Sequence, residues 1–318
     1  MGDSVQLPWD LPIMQAPIGP ATTPELVTSV SAAGALGTVA ASWTKPGKLR
    51  DQIRAIRSAT SNQFCVNLVL AFDQRERLEL VLEERVPVVS FSWGHDAELI
   101  GRARAAGAFV LVQAGDADEA KAAAAAGASG VIAQGVEAGG HVQGTTPLLT
   151  LVREVSAAVV LPVIAAGGIA DSACAQHALA AGAQAVACGT AFLAASEADV
   201  HGHYRSRLLA AGACDTELTE LFDLGWPNAP HRVIRNRTVT EWAAAGRPPA
   251  GRRPGEGDVI AKHGHTQVIR YSDVQPTTSA DGDIESMAMY AGAGVGDVRR
   301  VASASGIVAA LAHGIHRR

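Results

Sequence analysis

Up to about residue 193, short apolar segments rich in β-branched residues alternate with longer segments rich in Ala, Leu, Arg and Glu. Apolar runs of this kind predict buried parallel strands, and the segments between them predict helices that cover the sheet. Eight units favour a closed (β/α)₈ TIM barrel over an open doubly wound sheet, which would need a topological switch point that the pattern does not show. The eight apolar segments begin 21 to 31 residues apart and cover Ile13–Pro17, Leu36–Ala40, Phe64–Leu70, Val86–Trp93, Phe109–Ala114, Gly130–Gln134, Leu161–Ala165 and Ala185–Leu193.

The helix-like segments carry recognisable start and stop signals. Several of them open with Asp, which is a favourable N-cap residue, and end at or just before Gly, as in Ala106-Gly107 and Ala181-Gly182. These signals place helices at Asp73–Glu84, Asp96–Ala106, Asp116–Ala126 and Asp171–Ala181.

The regular alternation stops after residue 200. Residues 203–284 are richer in Arg, Pro, Gly and polar residues, and Gly246–Gly257 (GRPPAGRRPGEG) cannot lie inside a helix or a central strand. We therefore predict a barrel formed by residues 1–202 and 285–318, with 203–284 as a small, mostly helical inserted domain that serves as a substrate cap. Helical periodicity returns at Ile284–Ala291, and Val298–His313 is expected to be a terminal helix.

Composition excludes several classes of function. The net charge is −5 and no run of five like charges occurs, so nucleic acid is not an expected partner. No apolar run approaches the ~20 residues that span a bilayer, and Met1–Asp10 does not resemble a signal peptide. We expect a cytoplasmic protein without a metal site, because His263-Gly264-His265 has no third ligand nearby and the cysteines form no CxxC motif: Cys65, Cys174, Cys188 and Cys214.

Glycines follow the seventh apolar segment and also occur within the eighth. Gly167 and Gly168 stand in Ala165–Ile169 (AAGGI), and Gly189-Thr190 follows Cys188. Glycine lets the backbone approach a dianion, and these two strands commonly hold phosphate in barrels. A tight strand-to-helix turn would explain either element alone, but both together favour a phosphate site.

The loop after the sixth strand is the second chemical signal. It reads QGVEAGGH, from Gln134 to His141, and it has no Lys, so it is not a P-loop. Gln134 offers both donors and an acceptor to the edge of a flavin ring, and Gly139 and Gly140 leave room for a flat ring. Imidazole titrates near pH 6.5, which suits His141 as a general base.

Taken together, these motifs resemble the nitronate monooxygenase (2-nitropropane dioxygenase) family. The resemblance includes the GGH, AGGI and GT elements, MQAP (Met14–Pro17), Val66-Asn67 and the closing segment Met289–Val298 (MYAGAGVGDV), in order along nearly the whole chain. Ala16–Pro20 departs from the Met-Ala-Gly that relatives often carry, which weakens any assignment of substrate contacts there. The GAGVG at Gly292–Gly296 follows a helix-like segment and not a strand, so it does not predict a dinucleotide-binding fold.

The resemblance implies a flavin mononucleotide (FMN) enzyme. His141 would remove the proton α to a nitro group, and the nitronate would then be oxidised with FMN and O₂ to a carbonyl compound and nitrite. The residues implied to contact FMN are Met14, Gln15, Asn67, Gln134, Gly139, Gly140, Gly167, Gly168, Gly189 and Thr190.

Two alternatives remain open at this point. The same barrel could be an FMN-dependent NAD(P)H oxidoreductase, acting as a quinone reductase or an enoyl-thioester reductase, or it could be a non-catalytic barrel, which the intact GGH loop disfavours. The expected partner is a small-molecule substrate, with no nucleic acid and no membrane. The oligomeric state is open, with a homodimer as one option.

Overall fold

The computed structural model describes residues 6–315 and contains a closed barrel of eight parallel strands. Part of Met1–Asp10, for which no signal peptide is expected, lies outside these residues. Backbone pairing between Met14 and Leu36 joins the first strand to the second and closes the barrel. The (β/α)₈ prediction is confirmed, and the strands are β1 (Ile13–Gln15), β2 (Gly37–Ala40), β3 (Phe64–Val69), β4 (Val88–Ser92), β5 (Phe109–Ala114), β6 (Gly130–Gln134), β8 (Val163–Ala166) and β9 (Ala185–Cys188), with the short β7 (Gly140–His141) between β6 and β8.

Helices cover the outside of the barrel, and local signals set where they begin. The side chains of Asp96, Asp116 and Asp171 each accept a hydrogen bond from a backbone N–H in the first turn of the helix that follows. The helices are α1 (Pro24–Ala32), α2 (Pro46–Ala59), α3 (Arg75–Glu83), α4 (Ala97–Ala105), α5 (Ala117–Ala125), α6 (Leu148–Ala158), α7 (Ser172–Ala180), the four-residue α8 (Thr190–Leu193), α9 (Gly202–Ala210), α10 (Arg237–Ala244) and α11 (Ala304–Leu311).

The interior of the barrel is a packed apolar core with a polar upper rim. Side chains of alternate residues point inward from the strands. The apolar core includes Met14, Leu36, Cys65, Val88, Leu111, Ile132 and Ile164. One step further towards the carboxyl ends, the inward residues become polar, and they include Asn67, Ser90, Gln113 and Gln134. The carboxyl end is therefore the end of the barrel that can support chemistry.

The segment 203–284 is a mixture of helix and strand, so the prediction of a mostly helical insertion is wrong. Beside α9 and α10 it contains β10 (Thr216–Thr219), β11 (His231–Ile234), β12 (Val259–His263), β13 (Thr266–Ile269) and β14 (Ala280–Gly282). The hairpin of β12 and β13 turns at Gly264-His265, where Gly264 has φ of +60°. These strands are only three to five residues long, so they leave little periodicity in the sequence. The division at residues 203 and 284 stays a prediction.

Two helices predicted after residue 284 also differ from the structure. Residues 284–286 form one 3₁₀ turn, and the chain then runs extended to Tyr290, which pairs with Val233. The terminal helix α11 begins only at Ala304, after a second 3₁₀ turn at Ala293–Asp297. Between residues 6 and 315, no helix has both the length and the apolar character needed to cross a membrane.

Candidate active site

His141 lies at the carboxyl end of the barrel, on the short strand β7. This strand pairs antiparallel with β11 of the inserted segment, which places His231 directly opposite His141 and Arg232 opposite Gly140. Gly140 has φ of +72°, a conformation that side-chain-bearing residues rarely adopt. Arg232 also donates a hydrogen bond through Nη2 to the carbonyl oxygen of Val136, at 2.9 Å. The inserted segment therefore holds the loop that carries His141.

Aromatic rings surround the His141 imidazole. Trp226 stacks on it, with ring centroids 4.3 Å apart and an interplanar angle of 25°. The rings of His231, Tyr290 and Trp93 follow at 5.2, 5.7 and 6.1 Å. Nε2 of His141 is shielded from solvent and has no hydrogen-bond partner among residues 6–315. A buried polar atom without a partner is costly and is a common feature of sites that bind a ligand.

These surroundings keep His141 neutral. Burial, with a smaller contribution from His231, lowers the pKa of His141 to about 3. His231 is itself held in one neutral tautomer, because Nδ1 donates to the carbonyl oxygen of Ala229 at 2.9 Å while Nε2 accepts from the N–H of Phe222 at 3.2 Å. Burial also lowers the pKa of His231. At neutral pH, His141 therefore has a free lone pair that can accept a proton.

The buried neutral state of His141 predicts that acid destabilises the fold. In the unfolded chain the imidazole has its ordinary pKa of 6.5, whereas in the folded protein the pKa is about 3. The stabilisation is complete above the unfolded pKa and is lost as the pH falls towards the folded pKa. At pH 5 the unfolding free energy should have decreased by about 2 kcal/mol from this residue alone.

Urea unfolding at pH 7.5 and pH 5 checks this prediction when wild type is compared with His141→Asn, which has no titrating group at the site. The loss of unfolding free energy on acidification should be about 2 kcal/mol smaller in the variant. His177→Asn, at an exposed histidine of α7, is the matched control and should behave as wild type. Equal losses in wild type and His141→Asn would show that His141 is not held neutral by the fold.

A chain of amide side chains fixes the His141 loop to the barrel rim. Gln134 donates through Nε2 to the carbonyl oxygen of His141, and its Oε1 accepts from the N–H of Gln143 at 2.9 Å. Gln113 donates to both Gln134 and Gln143. Gln143 in turn donates to Glu119 at 2.7 Å. Gln134, which was predicted to meet a flavin ring, therefore also positions the backbone of the predicted base.

The three predicted contacts in strands β1 and β3 lie at different depths. Asn67 is on the inner wall at the rim, where its Nδ2 donates to Ser90 Oγ at 3.0 Å. Gln15 is fully buried, and its Oε1 accepts from the N–H of Thr38 at 2.9 Å. Met14 belongs to the barrel core. Asn67 is thus placed at the mouth, whereas the side chains of Met14 and Gln15 take part in packing and in joining β1 to β2.

The loops after β8 and β9 present unused backbone donors. The N–H groups of Gly167, Gly168, Ile169 and Gly189 donate to no protein acceptor within the described part of the chain. Gly167 and Gly168 have φ of +124° and +66°. Neighbouring backbone amides that have no protein acceptor can together bind an anion. The carboxylate of Glu137, which is close to Gly168, is turned away and accepts from the N–H of Leu148 at 3.0 Å.

The closing segment Gly292–Gly296 (GAGVG) packs against these loops and completes a glycine cradle around the free N–H groups. The sequence did not predict this role. The N–H of Gly292 donates to Thr190 Oγ1 at 3.0 Å. A methyl group at Gly294 would lie 2.2 Å from the carbonyl oxygen of Gly168, and one at Gly139 would lie 2.4 Å from the amide nitrogen of Gly292. The glycines of Gly292–Gly296 were visible in the sequence, but their contacts with loops more than 100 residues away were not.

Other members of the site also come from the inserted segment. His231 and Trp226 contact His141, yet each is an isolated residue in an irregular stretch of sequence. Only the pairing of β11 with β7 brings them to the barrel mouth. The single sequence signal for Trp226 is that a large aromatic residue stands in a turn-rich segment (Gly225-Trp226-Pro227).

Comparison with known proteins places this barrel in a family. The family model described as nitronate monooxygenase matches residues 6–76 and 70–314. A nitronate monooxygenase of Pseudomonas aeruginosa is 36% identical over 286 residues, covering 75% of this chain and 80% of that protein. A Mycobacterium tuberculosis protein, (3aS,4S,5R,7aS)-5-hydroxy-7a-methyl-1-oxo-octahydro-1H-indene-4-carboxyl-CoA dehydrogenase, is 36% identical over 74% of this chain. That match covers 66% of the dehydrogenase's own length, which is just under two thirds.

Solved structures agree with this assignment. A nitroalkane oxidase from Streptomyces ansochromogenes superposes with a TM-score of 0.79 at 31% identity, covering 96% of each chain. FabK from Thermotoga maritima also superposes with a TM-score of 0.79, at 29% identity, covering 96% of this chain and 92% of that one. With the family model matching nearly all of the described residues, the chain belongs to the nitronate monooxygenase family.

Proposed function

We propose that this protein is an FMN-dependent oxidase of alkyl nitronates and nitroalkanes, with His141 as its general base. The observation that carries the proposal is the solvent-shielded, unpartnered Nε2 of His141 at the barrel mouth. A base in this setting is neutral and has no competing hydrogen bond. With a pKa of about 3 it is a weaker base than free imidazole, but the nitronate anion that forms beside it would stabilise the imidazolium and raise that pKa during proton transfer.

The glycine cradle suits the phosphate of FMN. The free N–H groups of Gly167–Ile169 and Gly189 would hold the dianion, and Thr190 with Gly292 would keep the loops around it in place. Both neighbouring carboxylates are engaged elsewhere, Glu137 with α6 and Asp171 with the first turn of α7. Gly140 leaves space beside the phosphate site, because nothing lies within 4 Å of its Cβ position, whereas Gly139 packs against the backbone of Gly292. Asn67 offers a polar group at the rim. Met14 and Gln15 would support the ring from below.

The protein's own residues then have distinct roles in the reaction. His141 Nε2 accepts the proton from the carbon next to the nitro group, and Trp226 holds the imidazole plane by stacking on it. His231 contributes to lowering the pKa of His141, which keeps the imidazole unprotonated before the substrate binds. The aromatic rings exclude water from the reacting carbon. Bound FMN would supply the oxidising power and O₂ would supply the carbonyl oxygen as the C–N bond breaks, so that two nitronates and one O₂ give two molecules of carbonyl compound and two nitrite ions.

Oxygen uptake and nitrite release, measured with a panel of nitroalkanes and their pre-formed nitronates, test this function. We expect both substrate forms to support turnover, with nitrite and carbonyl compound formed together. The bound cofactor, released by heat and identified by chromatography, should be FMN. Nitrite-free reactions with every substrate of the panel would reject the proposal.

A second candidate is an FMN-dependent reductase or dehydrogenase that acts on a thioester or quinone. It is favoured by the 36% identity to the carboxyl-CoA dehydrogenase of Mycobacterium tuberculosis. His141 could serve as the base there as well, since a C–H group next to a thioester carbonyl is also acidic. Anaerobic mixing with NADH separates the two functions: rapid bleaching of the flavin supports the reductase, whereas bleaching by nitronate alone supports the oxidase.

A further inference from the structure

Four aromatic side chains form a continuous surface at the barrel mouth, which we call the aromatic wall: Trp43, Phe72, Trp93 and Trp226. The first three follow strands β2, β3 and β4, and the fourth comes from the inserted segment. Aromatic residues are only 4% of the chain, yet three of its five tryptophans meet here. This concentration at the functional end of the barrel is unlike the Ala- and Val-rich composition of the rest of the protein.

The wall reaches from open solvent to the predicted base. The Trp43 ring lies 5.6 Å from that of Phe72, which lies 5.1 Å from that of Trp226. Trp226 contacts Trp93 at 4.7 Å and stacks on His141 at 4.3 Å. A group seated along these rings would therefore reach the imidazole of His141 at its inner end.

The outer end of the wall is exposed apolar surface. Trp43 is 59% exposed, and Phe72 and Trp93 are half-buried. Exposed aromatic surface at the functional end of a barrel usually marks a ligand-binding site. Two nearby cationic side chains of α3 are engaged with other groups: Arg77 donates to the carbonyl oxygen of Thr44, and Arg75 pairs with Asp73.

We propose that the aromatic wall is a substrate subsite that takes an apolar substituent, either an alkyl chain of several carbons or an aryl ring. This substituent is attached to the carbon that His141 deprotonates, so the inference rests on the proposed function for its reaction, although not for the binding itself. The occupant is the substrate because the wall is continuous with the base. Flat rings and alkyl chains gain contact area against aromatic faces, whereas an anionic group would lose hydration there without a partner.

Substrate chain length provides the kinetic test. From nitroethane to 1-nitrohexane, kcat/KM should rise about three- to fourfold per methylene, the ratio that corresponds to ~0.8 kcal/mol per buried CH₂. The rise should lie mainly in KM. Trp43→Ala and Phe72→Ala should flatten the dependence, and Trp43→Phe should restore most of it. Val160→Ala, at a 99% exposed apolar residue away from the mouth, is the matched control and should keep the wild-type dependence.

Binding of 1-alkanols separates this inference from the proposed function, because these ligands have no acidic C–H. By titration calorimetry on the intact protein, Kd should fall about three- to fourfold per methylene from butanol to octanol, and less steeply in Trp43→Ala. Chain-dependent binding without any nitrite formation would reject the oxidase and keep the subsite. A Kd that does not vary with chain length, or an unchanged slope in both Trp43→Ala and Phe72→Ala with native circular dichroism, would overturn the subsite.

Discussion

His141→Asn is expected to lose turnover of neutral nitroalkanes by at least 100-fold while retaining oxidation of pre-formed nitronates. General base catalysis contributes about 10²- to 10⁴-fold, and Asn cannot take the proton. His231 cannot replace the base, because both of its ring nitrogens are already hydrogen-bonded, to Ala229 and Phe222. A nitronate needs no proton removed, so its kcat/KM should stay within about tenfold of wild type, or ~1.4 kcal/mol.

The measurement is nitrite release with matched nitroalkane and nitronate pairs, in wild type and variant. Equal, small losses on both substrates would mean that His141 is not the base. Equal, large losses would assign it to binding or to electron transfer. NADH-driven flavin reduction is the control reaction, since strong activity there without any on nitronates would favour the reductase candidate.

Gly168→Asp is expected to abolish FMN retention, so that the purified variant is colourless. A carboxylate beside the free amides of Gly167–Ile169 would replace attraction of the phosphate by repulsion. The backbone adds to the effect, because Gly168 has φ of +66° and a methyl group there would lie 3.0 Å from Glu137 Cβ. The flavin absorbance per protein, before and after incubation with excess FMN, gives the retained fraction.

Gly168→Asn separates charge from shape in this prediction. Asn has nearly the size of Asp and tolerates a positive φ comparatively well, so it should retain more FMN than Asp does. Gly47→Asp makes the same charge change where a side chain meets open space, and it should bind FMN as wild type does. A folded Gly168→Asp protein that holds FMN as tightly as wild type would remove Gly168 from the phosphate site.

The barrel was predictable because its information is local and repeated. Each apolar run predicts a buried strand, Asp96, Asp116 and Asp171 cap the helices that follow them, and eight such units favour a closed barrel. The prediction failed where pairing is distant. Strand β11 finds β7 about 90 residues earlier in the chain, and the stretch after Ile284 is extended because Tyr290 pairs with Val233. The apolar residues of Ile284–Ala291 have helical spacing in the sequence, but they are buried between neighbouring segments and do not form an α-helix.

The sequence by itself determined the fold class and the family, and it pointed to His141 as the predicted base, since motifs such as QGVEAGGH and AGGI are contiguous and lie at strand ends. Only the tertiary structure decided what surrounds the base. The neutral state of His141 follows from rings contributed by Trp226, His231 and Tyr290, and the glycine cradle closes only when Gly294 packs against Gly168. The burial of a side chain and the close approach of two backbone segments depend on residues that are distant in the chain, so no local sequence pattern predicts them.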